Sequence, residues 1–300
     1  MKKALFYEIT PESWDEAKSI FQKLRFCIFR GQADNSWPLK TSIERAAEQF
    51  RCPPVGIWEK EKQIIYNFKS RAHQHVQSPP DKRESLEWLA LMQHYGCPTR
   101  LLDFTRSSYI SSFFAMESAD KDACVWAIND VQILILTQKA GNIGQDSSQA
   151  YPANLETIVK FSESFIDEPH QKRNLVVGVT PSRLNDRTAI QKGTFLMPCN
   201  LEEKFEKNLC ETFNFPFDSL TSINAVQITA SNITAEIGIA SRVMKINLPR
   251  KIHCDSLIDL YKMNIDAASL FPGLEGLAKS LKIDLRVMEK HYWDKAKQLN

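Results

Sequence analysis

The chain has no Cys-x-x-Cys pair, and its seven cysteines are odd in number. Such usage fits reduced thiols in a cytoplasmic protein better than a disulfide framework or a zinc site. It also lacks any apolar run of membrane-spanning length. Near the start only Ala4, Leu5, Phe6 and Tyr7 form a hydrophobic stretch, broken by Glu8 and too short for a signal-peptide core. No bulk field of one sign exists. Against 38 basic residues stand 36 acidic ones, a net charge of +2, so neither nucleic acid nor an anionic membrane is called for. Binding that neutralises many phosphates needs clustered Lys and Arg, so the small net charge argues against it. No metal is implied either. His73 and His75 lie two apart on a helical stretch and so do not face each other, and no carboxylates show metal-ligand spacing. A metal-dependent nuclease is therefore the weakest functional class. Internal repeats and low-complexity tracts are also absent.

What remains is an ordinary globular composition, 43% hydrophobic and 25% charged, in a chain long enough for one elaborated domain or two modest ones. Its pattern predicts an α+β fold with a mixed central sheet flanked by helices. A helix is predicted over 11–24, with Ser13 and Glu16 as a capping box. Arg25–Gly31 reads as a strand. Helices follow near 41–50, 57–76 and 84–95, the last ended by Gly96 in left-handed conformation with Pro98 behind it. From Thr99 the residues alternate as in a strand, and Ser107 or Ser108 can cap a helix whose Ile110, Phe113 and Phe114 pack inward. Ala123–Ile128 and Val131–Leu136 read as two strands joined at Asn129-Asp130, the second equally readable as a helix. A long loop over 139–152, a helix near 153–166 and a strand over 174–179 come next. After them a short helix or turn ends at Gln191, and a strand begins past Gly193. Asn200 and Glu203 are candidate caps for a helix through Thr212. Strands are predicted at 224–229 and 243–248, and the remainder reads as helical with a solvated tail over 290–300.

One stretch concentrates chemistry: Gln93 to Ala115 packs a histidine, two arginines, an aspartate and several hydroxyls between hydrophobic segments. His94 falls in the last turn of its helix, where the dipole favours the protonated ring. Its plain reading is a helix-end cap. A short strand feeding the start of the next helix makes a ready anion site, with Thr105, Arg106, Ser107 and Ser108 as supplementary donors. Arg30, at the end of a buried strand face, needs an anionic partner. Either a structural salt bridge or a site role towards carboxylate or phosphate satisfies that need. Asp103 is open between a buried ion pair with Arg100 or Arg30 and a role in the site.

These two stretches resemble one family. Phe29-Arg30-Gly31-Gln32 is similar to the motif that names the FRG domain, and the thirteen residues Gln93 to Thr105 resemble its long signature. Phe104 stands there where tryptophan is common, and Cys97 fills a variable apolar position. Arg187, Gln191, Gly193 and Phe195 resemble a third element, and Leu270–Ala278 its C-terminal end. On this basis the chain is a single FRG domain over 1–300, with its core at about 25–280. FRG proteins are often bacterial or phage-associated, in settings suggesting defence or toxicity, and distantly resemble the ADP-ribosyltransferase fold and its split sheet.

That resemblance implies an NAD-using ADP-ribosyltransferase or NAD glycohydrolase. It implies a site of Arg30, His94, Asp103, Thr105 and Gln191. Arg30, Gly31, Gln32, Arg100, Thr105, Ser107 and Ser108 would bind the nucleotide. Gln191 takes the place of the glutamate that would favour transfer. The partners implied are NAD or a similar nucleotide and a macromolecular acceptor. The competing reading is a non-catalytic sensor module that binds a nucleotide or a partner.

Overall fold

The computed structural model describes residues 6–143, 155–168, 171–182, 186–220, 225–229, 233 and 242–281. The predicted loop beyond Ile143 and the predicted tail over 290–300 lie outside these residues. Among them, eight strands form one mixed sheet in the order β5-β6-β3-β2-β4-β8-β1-β7. The strands are β1 (Phe6–Ile9), β2 (Cys27–Gln32), β3 (Leu102–Thr105), β4 (Ala123–Asn129), β5 (Val176–Val179), β6 (Gly193–Pro198), β7 (Val226–Gln227) and β8 (Val243–Leu248). Only β1 runs parallel to its neighbours β7 and β8; the other pairings are antiparallel.

Helices cover both faces, as two-sided burial of the central strands requires. All seven residues of β4 are buried. Ala123, Val125 and Ala127 face one core, built with α1 (Trp14–Lys23), α5 (Ser108–Met116) and the helix His253–Lys262. Cys124, Trp126 and Ile128 face a second core under α9 (Phe205–Thr212). A third core lies beneath α3 (Ile57–Ala72), α4 (Ser85–His94) and α7 (Leu155–Asp167), on Val177, Val179, Phe195 and Met197. Phe29 and Thr105 are partners across β2 and β3, and Asp103 pairs with Phe195 across β3 and β6. The first and third cores thus share one side of the sheet, and β2–β3–β6 lies between their helices.

Local signals account for most element ends. Ser13 accepts from the Glu16 N–H at the start of α1. Thr41 and Glu44 form a reciprocal capping box on α2 (Ser42–Gln49). Gly96 adopts φ +78° just past α4. Residues 130–140 form helix α6 (Asp130–Ala140), the helical alternative for this segment. Asn129 is its cap, accepting from the Gln132 N–H at 3.0 Å, rather than part of a hairpin turn. The expected caps of α9 are replaced by a distant one. Its N-cap is Lys204 with no side-chain bond, and Glu44 Oε1 accepts from the Phe205 N–H at 2.8 Å.

Candidate functional site

β2 and β3 pair at one position only, Phe29 with Thr105. Beyond it the guanidinium of Arg30 takes the place of a strand partner, with Nη1 donating to the Asp103 carbonyl at 2.9 Å. Arg30 alternates to the opposite face from Phe29 and Gly31. Its side chain nonetheless reaches the cleft through this divergence. The cleft encloses about 350 Å³, within the roughly 300–1,000 Å³ usual for small-ligand pockets.

The strands of the floor supply Phe29, Arg30, Gly31, Asp103, Thr105 and Phe195. α4 supplies Gln93 and His94, and α5 supplies Ser111 and Phe114 with Glu117 just beyond it. The far wall is Arg187 and Thr188 of the short helix α8 (Asp186–Ile190), Gln191, and Phe271. Arg30, His94, Asp103, Thr105 and Gln191 therefore line one cavity, although 161 positions separate the first from the last.

Arg30 is the most constrained of the five. Its side chain is 18% exposed, and Asp103 Oδ2 stays 3.8 Å from Nη1. Its Nε is shielded from solvent and has no hydrogen-bond partner among the described residues. Burial lowers the guanidinium's pKa from its ordinary value, while Asp103 pulls it back up. The group remains charged at neutral pH. A buried donor without a partner is costly, so an anion or carbonyl in the cleft would relieve it. Asp103 is more open, its side chain 56% exposed, and accepts from Gln93 Nε2 at 2.8 Å.

His94 departs from expectation. Burial first, and the Arg187 charge second, lower its pKa below the ordinary value. The helix-dipole argument for a protonated ring is overridden by desolvation and a nearby cation. Thr105 and Gln191 are tied to each other's segments. The Thr105 hydroxyl donates to the Gln191 carbonyl at 2.7 Å and accepts from the Ser107 N–H at 3.1 Å. Gln191 Nε2 donates to the Leu270 carbonyl at 3.0 Å, anchoring the short helix Ala267–Leu270 beside the cleft.

Several proposed nucleotide-binding residues belong elsewhere. Arg100 is fully buried and does not reach the cleft. Its Nε donates to Glu61 Oε2 at 2.7 Å and its Nη1 to the Phe165 carbonyl at 2.9 Å, so it joins α3 to α7. Gln32 is buried and holds Trp126 Nε1 at 2.7 Å through Oε1 and the Pro38 carbonyl through Nε2. Ser107 caps α5 by accepting from the Ile110 N–H, and the Ser108 carbonyl accepts from the hydroxyls of Ser111 and Ser112. Arg106 turns to Asp130 at 2.8 Å. Ser107 thus caps one N–H of α5, and Arg106, Ser107 and Ser108 are not among the residues that line this cleft. Gly31 stays at the cleft, but for packing. A Cβ there would lie 2.0 Å from the Ser111 carbonyl oxygen and 2.7 Å from the Ala115 nitrogen, so only glycine lets α5 approach β2.

Sequence reasoning missed Arg187, Phe271, Gln93 and Glu117 as parts of the site. Arg187 and Phe271 were legible only as family-like positions; here the Arg187 guanidinium stacks 4.6 Å from the Phe271 ring centre. Gln93 opened the chemistry-rich stretch, yet nothing in its spacing showed its reach to Asp103. Glu117 follows an apolar helix with no distinguishing pattern.

Residues 25–124 match the FRG domain family model, a span that holds the Arg30, Gln93, His94, Asp103 and Thr105 side of the cleft. Arg187, Gln191 and Phe271 lie outside that span. No curated protein and no solved structure matches the chain. The motif match and the cleft built upon it agree, and the chain carries an FRG domain over residues 25–124.

Proposed function

We propose that the cleft binds a nucleotide diphosphate of the NAD type and acts on its nicotinamide–ribose bond. The activity is ADP-ribosyl transfer or NAD hydrolysis, of the toxic or defensive kind that the resemblance implies. The observation that carries this reading is Arg30, a shielded guanidinium at the cleft floor with an unpartnered Nε and only a distant carboxylate. Its fork suits a phosphate oxygen pair. Arg187 offers a second cation on the opposite wall, and the depressed pKa of His94 leaves a neutral ring beside them. Cleavage of the nicotinamide–ribose bond passes through an oxocarbenium-like state, which carboxylates nearby stabilise. Asp103 and Glu117 are the carboxylates that line the cleft. Gln191 orients a ribose hydroxyl, and Thr105 holds the Gln191 segment in place.

A sensor module that binds nucleotide without turnover is favoured by one specific observation. The Thr105 hydroxyl and the Gln191 amide nitrogen are both engaged in structural bonds. The two readings separate in one experiment, in which purified protein is incubated with NAD while nicotinamide release is followed and ADP-ribose binding is measured by calorimetry. The enzyme reading expects NAD loss that Arg30→Ala abolishes. The sensor reading expects ADP-ribose binding with no NAD loss. In either case Arg30→Ala should weaken ADP-ribose binding roughly ten- to hundred-fold, the worth of one charge-assisted contact. A wild-type protein that neither consumes NAD nor binds ADP-ribose overturns both.

A further inference from the structure

Between Arg30 and the body of the protein runs a chain of hydrogen bonds that the nucleotide reading does not use. It begins at Thr99, which is fully buried. Thr99 Oγ1 accepts from the Leu101 N–H at 3.2 Å and donates its single proton to Gln93 Oε1 at 2.6 Å. Ser42 Oγ lies 3.2 Å from the same oxygen and accepts from the Thr99 N–H at 2.9 Å. The Ser42 proton has a nearer acceptor in the Thr99 carbonyl at 3.1 Å, so it is the Thr99 hydroxyl on one side and the Asp103 carboxylate on the other that fix the orientation of the Gln93 amide. The NH2 end is left pointing at the cleft, where it meets Asp103 Oδ2 at 2.8 Å.

This contact decides where Asp103 sits. A carboxylate and a guanidinium free to meet close to about 2.7–2.9 Å. Here they stand 3.8 Å apart, and Arg30 Nη1 donates to the backbone carbonyl of Asp103 instead. The Asp103 side chain is more than half exposed, and Gln93 is its hydrogen-bond donor.

We propose that Gln93 is a positioning residue that holds Asp103 short of a closed ion pair with Arg30. The guanidinium is thereby kept for an anionic ligand. The inference rests on the anion-binding reading of the cleft and adds to it how the cation stays available. Without Gln93, rotation of the Asp103 side chain lets its carboxylate close on Arg30. An incoming phosphate must then displace an internal anion, and affinity falls. The hydrogen-bonded Asp103 carboxylate also remains a fixed acceptor for a ligand hydroxyl, which a mobile one is not.

The test is a double-mutant cycle on the full chain, with ADP-ribose and inorganic pyrophosphate as calorimetric probes. Gln93→Met keeps the side-chain length and removes its hydrogen bonds. It should weaken binding of both probes by roughly three- to thirty-fold, the range expected of coupled neighbours. In an Asp103→Ala background the same substitution should change binding by less than about two-fold, because the residue through which it acts is gone. Gln93→Glu is the second variant, should Gln93→Met fail to fold. Two carboxylates then face each other, so binding relative to wild type should be weakest at pH 8 and recover as a shared proton restores a donor.

An unchanged affinity in Gln93→Met, beside a large loss in Arg30→Ala, overturns the positioning role and leaves the cleft reading standing. An equal loss with and without Asp103 also overturns it, since Gln93 would then act through general packing. A wild-type protein that binds neither probe overturns both the inference and the reading beneath it.

Discussion

Arg100 offers the cleanest separation of a structural arginine from a ligand-binding one. Both it and Glu61 are 0% exposed at the side chain. Glu61 receives the Arg100 backbone N–H at 3.0 Å as well as Nε at 2.7 Å. Arg100→Met leaves a carboxylate buried with its charge uncompensated, which destabilises by roughly 3–5 kcal/mol. In a chain of this size that corresponds to a fall in Tm on the order of 5–8 °C. Adding Glu61→Gln removes the stranded charge and keeps an oxygen for the Arg100 N–H. The double variant should therefore recover most of the loss, leaving about 1–2 kcal/mol for the guanidinium's missing hydrogen bonds. Equilibrium denaturation in urea at pH 7 reads all three proteins, and ADP-ribose calorimetry on the double variant should match wild type. A loss below about 1 kcal/mol in Arg100→Met would refute the argument from buried charge. So would a double variant no more stable than the single one. Intact stability with lost ADP-ribose binding would return Arg100 to the site.

Two further outcomes are expected. Gly31→Ala should destabilise by at least about 2–3 kcal/mol, the upper end of overpacking penalties. The added Cβ meets backbone atoms of α5 that cannot rotate away, and the denaturation midpoint of the variant checks it. His94 titrates below its ordinary 6.5 in the folded state. Between the two pKa values the unfolded chain binds more protons, so wild-type stability should fall as pH drops through about 6.5. Denaturation midpoints between pH 5 and 8 should show this acid limb flattened in His94→Gln.

Short-range chemistry accounts for what was legible in the residues. Caps such as Ser13 and Ser107, and the left-handed Gly96, act on backbone groups within a few positions. They are therefore visible in the chain itself. A run of strand formers marked β2, and alternation marked β3. It was ambiguous over 131–136, where apolar residues suit both periods. There the exposure of Val131 and Ile135, against buried Ile133, belongs to a helix on the sheet.

The cleft itself is partly of this kind. The chain alone marked Arg30, His94, Asp103, Thr105 and Gln191 by residue type, motif and motif order, since those residues stand beside strand ends and helix ends that local signals define. Tertiary structure decided which of the candidates meet and what each holds. Arg100 turned to Glu61 rather than to the cleft because the third core closes over it. Glu44, from α2, caps α9 from 161 positions away. Burial and Arg187 lower the His94 pKa, against the expected effect of the helix dipole. Gly31 proved necessary for the approach of α5, and Arg30 reached the cavity because β2 and β3 separate after one pair. Each depends on strand order and layer packing, which bring together groups whose separation along the chain carries no periodic trace.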